Sequence, residues 1–266
     1  MNKGIGLYYK IESNLHDVDA RIKLPAAFML ILLISALPAN AWPVMLLVIF
    51  IILGLQIASE IPFKVLYSRS LIILPFLLAA LPVLFTVDGP PVITINVFHH
   101  ALAVTPDGLS RFINIFLKSW LSLHVAILLA ATTPMMEILN ALRVYRVPKT
   151  IVMIFRLMWR YLSIMFGKGQ RMMRARAARS VRTNGGPANS LRRISWQAQV
   201  TGSMAGSLFM QSLEQSERVY YAMVSRGFDG EIRLLPQPKL SGKQKTILIL
   251  WMLLCLFLLL TSILFG

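Results

Sequence analysis

Twenty consecutive residues, 246–265, contain no charged side chain. A helix needs about 20 predominantly apolar residues to cross the hydrocarbon core. In lipid only a helix or a closed barrel pairs all of its own backbone N–H and C=O groups. That stretch therefore reads as a membrane-spanning helix. Four further apolar runs precede it, at residues 24–38 (extendable to Ala41), 43–58, 71–87 and 109–133. The first two follow one another almost at once and read as a tight helical hairpin. The third carries Pro75 and Pro82, which neighbouring helices tolerate by satisfying the freed carbonyls. Composition agrees: the chain is 56% hydrophobic and 14% charged, with mean hydropathy +0.66, where soluble domains carry about 25% charge. Ala39-Asn40-Ala41 has the form of a signal-peptidase site. Glu12, Asp17 and Asp19 before the run, and a second apolar run directly after it, favour a retained helix.

Charge organises the rest. Residues 134–245 hold 19 of the 27 Lys+Arg residues and only five acids, Glu137, Glu214, Glu217, Asp229 and Glu231. Lys3, Lys10, Arg21 and Lys23 precede the first run, and Lys64 and Arg69 lie between the second and third. The turn at Asn40 and residues 88–107 carry no Lys or Arg. Cytoplasmic loops retain positive charge, so the N-terminus and the basic region are expected in the cytoplasm and the C-terminus outside. The expected division is 1–133 with four transmembrane helices, 134–245 as a cytoplasmic region of three helices, and 246–266 as a fifth transmembrane helix. The expected fold class is an all-α membrane protein. A net charge of +16 does not imply nucleic acid here, because it lies beside membrane spans and no nucleic-acid module accompanies it.

Within the basic region a short helix follows Pro134 and stops before Pro148, a second runs over about 149–182, and a third over about 189–226. The second begins strongly apolar, a half suited to dipping into the membrane interface, and becomes arginine-rich beyond Gly167 and Gly169. Arg179 stands just before Asn184-Gly185-Gly186-Pro187, and Arg226 just before Gly227, a natural helix stop. Preference for cations at helix C-termini and for anionic lipid accounts for Arg171, Arg174 and Arg182. It accounts less well for two long helices each ending in a small-Arg-small triplet, Ala178-Arg179-Ser180 and Ser225-Arg226-Gly227. Small neighbours leave a guanidinium free to enter a groove and pair bidentately with carboxylates.

Catalytic and ligand chemistry is sparse. The chain has no Gly-x-x-x-x-Gly-Lys-Ser/Thr loop, and Gly242-Lys243 lacks both flanks of one, so ATP work falls to another polypeptide. No His, Cys, Asp and Glu cluster suggests a metal site. The Gly89-Pro90-Pro91 segment with its β-branched continuation suggests an external hairpin. His99 and His100 there are adjacent, and neighbours on a strand point to opposite faces. His124 reads as a helix–helix hydrogen-bonding group. Lys118 is an intramembrane charge, hence a functional candidate, or an interfacial anchor together with Arg111. Cys255, the one cysteine, reads as a small buried hydrophobe. A membrane-bound enzyme using His16, Asp17 and Asp19, and a lipid-binding anchor built on the basic helices, remain as rival readings.

The paired triplets resemble the Ala-Arg-Ser/Ala-Arg-Gly signature of the transmembrane (T) component of energy-coupling factor transporters. The segment from Glu217 through Arg226 to Gly230, and Ala131-Thr132-Thr133-Pro134, are similar to the cobalt-type CbiQ family. Leu15-His16-Asp17-Val18-Asp19-Ala20-Arg21-Ile22-Lys23-Leu24 resembles that family's His-x-Leu-Asp-Pro-Arg-x-Lys-Leu, departing at Val18 and Ala20; Ser225 replaces an alanine. The resemblance spans about residues 13–235. It implies a non-catalytic ABC-type importer subunit of the bacterial cell membrane, multi-pass, with three coupling helices. Its implied partners are two cytosolic ABC ATPase subunits, a membrane substrate-binding (S) component and membrane lipid. Arg179 and Arg226 would couple to the ATPases, with Ala178, Ser180, Ser225 and Gly227 as their small neighbours. It implies no resident cofactor or metal, and cobalt as cargo, with nickel or a vitamin as alternatives.

Overall fold

The computed structural model describes residues 8–9, 11, 13, 15–38, 41–86, 93–97, 100–179, 190–230 and 242–265. These form ten α-helices, a short 3₁₀ turn and one two-stranded hairpin. They divide into two compact units: Gly6–Val144 with Gln237–Gly266, and Tyr145–Pro236.

The first unit is a bundle. Asp19 caps helix α1 (Ala20–Ala36) by accepting from the Arg21 backbone N–H at 2.9 Å, satisfying one of the orphan donors of a helix start. Pro43 sits in the first turn of α2 (Trp42–Ala58), where its missing N–H costs nothing. The third apolar stretch is a broken rod: α3 (Phe63–Ser70), a 3₁₀ turn (Leu71–Ile73), α4 (Leu74–Ala80) and α5 (Val83–Thr86). Pro75 cannot donate to the preceding turn, and the helix tightens there; Pro82 ends the next piece. The rod starts at Phe63, earlier than the apolar run at residue 71 suggests, because Lys64 and Arg69 occupy its first helix rather than a loop. Strands β1 (Ile93–Val97) and β2 (His100–Val104) pair antiparallel, with Val97 opposite His100, as the turn residues and β-branched content lead one to expect.

Helix α6 (Pro106–Thr132) is the central element. Thr105 caps it, accepting from Gly108 N–H at 3.1 Å. Gly108 is required for packing: a Cβ there would lie 2.7 Å from the Leu84 carbonyl oxygen. Helix α7 (Met135–Val144) packs on α1, and α10 (Gly242–Phe265) packs on α1 and α2. The core joins Leu30, Leu33 and Ile34 of α1, Val48 and Ile52 of α2, Leu121 and Val125 of α6, and Cys255 and Leu258 of α10. The outside is as apolar as the inside. Phe50, Ile72 and Leu250 are each more than 70% exposed. Four helical stretches, Phe63–Phe85, Pro106–Thr132, Lys149–Arg179 and Gln244–Ser262, are long and apolar enough to cross a membrane, and Trp42–Ala58 is a shorter apolar helix. The chain is a helical membrane protein, its outer leucines and phenylalanines suited to lipid.

Between such helices packing and hydrogen bonds, not water exclusion, supply cohesion. Gln56 Oε1 of α2 accepts from His124 Nε2 of α6 at 2.9 Å, both side chains buried. Trp251 Nε1 of α10 donates to the Ala26 carbonyl of α1 at 3.3 Å. Lys118 Nζ donates to the carbonyls of Ser35, at 3.4 Å, and Leu37. It thus serves as the C-terminal cap of α1, a structural duty for the charge inside α6.

The second unit holds α8 (Lys149–Arg179) and α9 (Ser190–Val224). The two pack antiparallel. Arg176 meets Trp196 and Thr201, a Cβ on Gly169 would touch Leu208 at 3.6 Å, and Leu157 shares a groove with Val219. As numbers fall on α8 they rise on α9.

Candidate functional site: two exposed arginines at helix ends

Arg226 occupies a defined helix terminus. Phe228 N–H donates to the Met223 carbonyl at 3.1 Å and Gly227 N–H to the Val224 carbonyl at 2.9 Å. Gly227 has φ +79°. This is a Schellman stop, with glycine in the left-handed position and Arg226 as the last residue of the helical path. Ser225 Oγ turns back to the Ala222 carbonyl at 3.2 Å. Ser225, Arg226 and Gly227 are all exposed, so the guanidinium is presented on a rigid end with small groups around it.

Arg179 ends α8, and with Ala178 it is exposed. Ser180, the third member of its triplet, lies outside the described residues. The antiparallel packing carries the two arginines to opposite ends of the helical pair. Arg176, one turn before Arg179, faces Thr201. From Thr201 to Arg226 is about seven turns of α9, which sets the two ends on the order of 40 Å apart. The sequence singles out both arginines but not this separation, because the pairing register of two helices is not written in either one. Around Arg226 the helices enclose a groove of about 700 Å³ lined by Leu157, Arg160, Tyr161, Arg218 and Phe228. Arg218 is itself paired with Glu214 at 3.1 Å on the exposed face.

The N-terminal motif forms a second constellation, which the sequence suggested without assigning it a geometry. His16 Nε2 donates to the Tyr9 carbonyl at 3.1 Å, so Nδ1 accepts from Ser13 Oγ at 2.7 Å. Both ring nitrogens are engaged, which leaves no lone pair for a general base. Lys23 Nζ donates to the His16 carbonyl at 3.0 Å and the Thr132 carbonyl at 3.4 Å. Burial pushes its ammonium below the usual lysine range, while Glu137, Asp17 and Asp19 push it back. Arg21 is buried, its Nε 3.8 Å from Asp19 Oδ1. A polar cavity of about 320 Å³ links Asp17, Asp19 and Arg21 to Glu137 and Asn140 of α7. The motif thus ties the start of α1 to the end of α6 and to α7. Among the described residues no three His, Cys, Asp or Glu side chains gather to hold a metal ion. Of the two adjacent histidines, His99 lies outside the described residues and His100 opens β2.

Known proteins resemble this chain in sequence. The family described as cobalt transport protein, CbiQ, matches residues 12–238. An uncharacterised protein of Methanocaldococcus jannaschii is 28% identical over 243 residues, covering 89% of this chain and 78% of that protein. The energy-coupling factor transporter transmembrane protein EcfT of Bacillus subtilis is 26% identical over 236 residues, covering 85% and 84%. The cobalt transport protein CbiQ of Rhodobacter capsulatus is 27% identical over 157 residues, covering 59% and 61%. With the match running through the N-terminal motif and both arginine ends, the chain belongs to the CbiQ family, the transmembrane component of energy-coupling factor transporters.

Proposed function

We propose that this chain is the coupling subunit of an importer. In this reading Arg179 and Arg226 each dock a separate cytosolic ATPase, and the membrane bundle holds a substrate-binding partner. The observation that carries it is the placement of two exposed arginines, each on a helix end, on the order of 40 Å apart along one antiparallel pair. A single compact pocket cannot take both guanidiniums at that span; two separate sockets can. The EcfT relatives, which match nearly the whole chain, support the ATPase partnership. Cobalt is the proposed cargo, supported by the family description and the Rhodobacter capsulatus relative. As a second reading, the same subunit serves a partner for nickel or a vitamin, since the EcfT relatives are named for no particular cargo. The N-terminus, the Lys64 end of the broken rod and the α8–α9 pair lie in the cytoplasm in this proposal, on the distribution of Lys and Arg.

The test is co-purification of the tagged chain with its ATPases, followed by uptake of ⁵⁷Co²⁺ in cells. Removing one partner from a buried charged pair costs about 3–5 kcal/mol. The double substitution Arg179→Ala with Arg226→Ala is expected to abolish uptake and ATPase retention while membrane insertion stays normal. Unchanged uptake by the double variant refutes the docking roles. Uptake of Ni²⁺ in place of Co²⁺ refutes the cargo alone.

A further inference from the structure

Among Arg171, Arg174, Arg176 and Arg179 on the tail of α8, three are exposed and one, Arg176, is half-buried. Its guanidinium carbon lies 5.7 Å from the centroid of the Trp196 ring on α9. Its Nη1 donates to Thr201 Oγ1 at 3.3 Å. The Thr201 hydroxyl in turn gives its proton to the Gln197 carbonyl at 2.7 Å, which leaves its lone pairs facing the guanidinium. One planar cation therefore stacks on one residue of α9 and hydrogen-bonds another, five positions further on. A lysine cannot do both, since it lacks the flat face and the fork of donors.

We infer that Arg176 is a positioning residue that bolts the Arg179 end of α8 onto α9. The inference rests on the reading that Arg179 docks an ATPase. Arg176 and Arg179 are three residues apart on one helix, so their side chains are neighbours on one face. The Arg176 stack, one turn from Arg179, is a lateral connection through which a force applied at Arg179 reaches α9. At the opposite end the two helices line the groove of about 700 Å³. The pair thus has a cation stack beside one of the two arginines and a groove beside the other, so the two ends are built differently although their triplets look alike.

The experiment uses the full chain in lipid nanodiscs on a Cys255→Ala background, spin-labelled at Met173 and Ser203, which are exposed on the two helices. The distance distribution between the labels is expected to be narrow in the parent. It should broaden about twofold in Arg176→Ala and Trp196→Ala, broaden partly in Arg176→Lys, and stay near the parent in Trp196→Phe. The Arg176→Ala/Trp196→Ala double variant should look like either single one. In the complex with ATPases and substrate-binding partner, Arg176→Ala should retain the ATPases, because both docking arginines are intact. Cargo imported per ATP hydrolysed should fall about tenfold. An unchanged distance distribution in Arg176→Ala overturns the bolt. A broadened distribution with unchanged import per ATP overturns the positioning role. Failure of the unsubstituted chain to bind any ATPase overturns the coupling reading and the positioning role with it, while the distance measurement still reports the bolt.

Discussion

At Lys23 one ammonium holds the segment before α1 to the end of α6. It donates to the carbonyl of His16 and to that of Thr132, at the last turn of α6. Three carboxylates, Glu137, Asp17 and Asp19, offset the cost of burying it. Lys23→Met removes both bonds and takes away a positive charge that those acids face. An unsatisfied buried group typically costs about 1–3 kcal/mol, so a lowered unfolding midpoint in detergent is expected, and an unchanged midpoint would contradict the arrangement. The arginines proposed to dock the ATPases should behave differently. Arg226→Lys keeps the charge but loses the fork, so ATPase retention should drop by roughly tenfold or more without loss of thermal stability, since bidentate pairing is the part a lysine cannot replace. Retention equal to that of the parent would show that charge alone suffices.

Among the elements, α9 offers a matched pair of glycine tests. Gly227 holds φ +79° at the Schellman stop, where a side chain costs about 1–2 kcal/mol. Gly202 lies mid-helix in open space, where alanine is worth about 1 kcal/mol over glycine. Gly227→Ala should therefore destabilise the helix end and Gly202→Ala should stabilise the helix, both measured by thermal unfolding followed by circular dichroism; the same sign for both would be incompatible with this helix. The position of Gly227 was legible from the sequence, because helix stops are local and glycine has a stereochemical reason to be there. The apolar helices were legible for the same reason, since an apolar run is a property of consecutive residues. The start of the rod at Phe63 was not: Lys64 and Arg69 read as loop residues, yet both fit on a helix end. Nor was the part played by Lys118. An intramembrane lysine signals function by cost, and only tertiary structure reveals that two carbonyls of α1 receive it.

For the whole molecule, the proposed topology makes a plain expectation. On the Cys255→Ala background, a cysteine at Asn96 in β1 should react with an impermeant thiol reagent added outside intact cells. One at Ser203 in α9 should react only after lysis. The reverse pattern would invert the molecule and remove its cytoplasmic docking ends. The Lys118 cap has its own consequence, in how the protein is made. The end of α1 that it closes lies 81 residues earlier in the chain. On that topology, while the ribosome is still producing α3 to α5, the first hairpin stands in the lipid without the Lys118 donor to its two carbonyls. It is completed only when α6 follows it through the translocon. Nascent chains cut short before residue 118 should then be prey to membrane quality-control proteases, whereas chains released after α6 should survive.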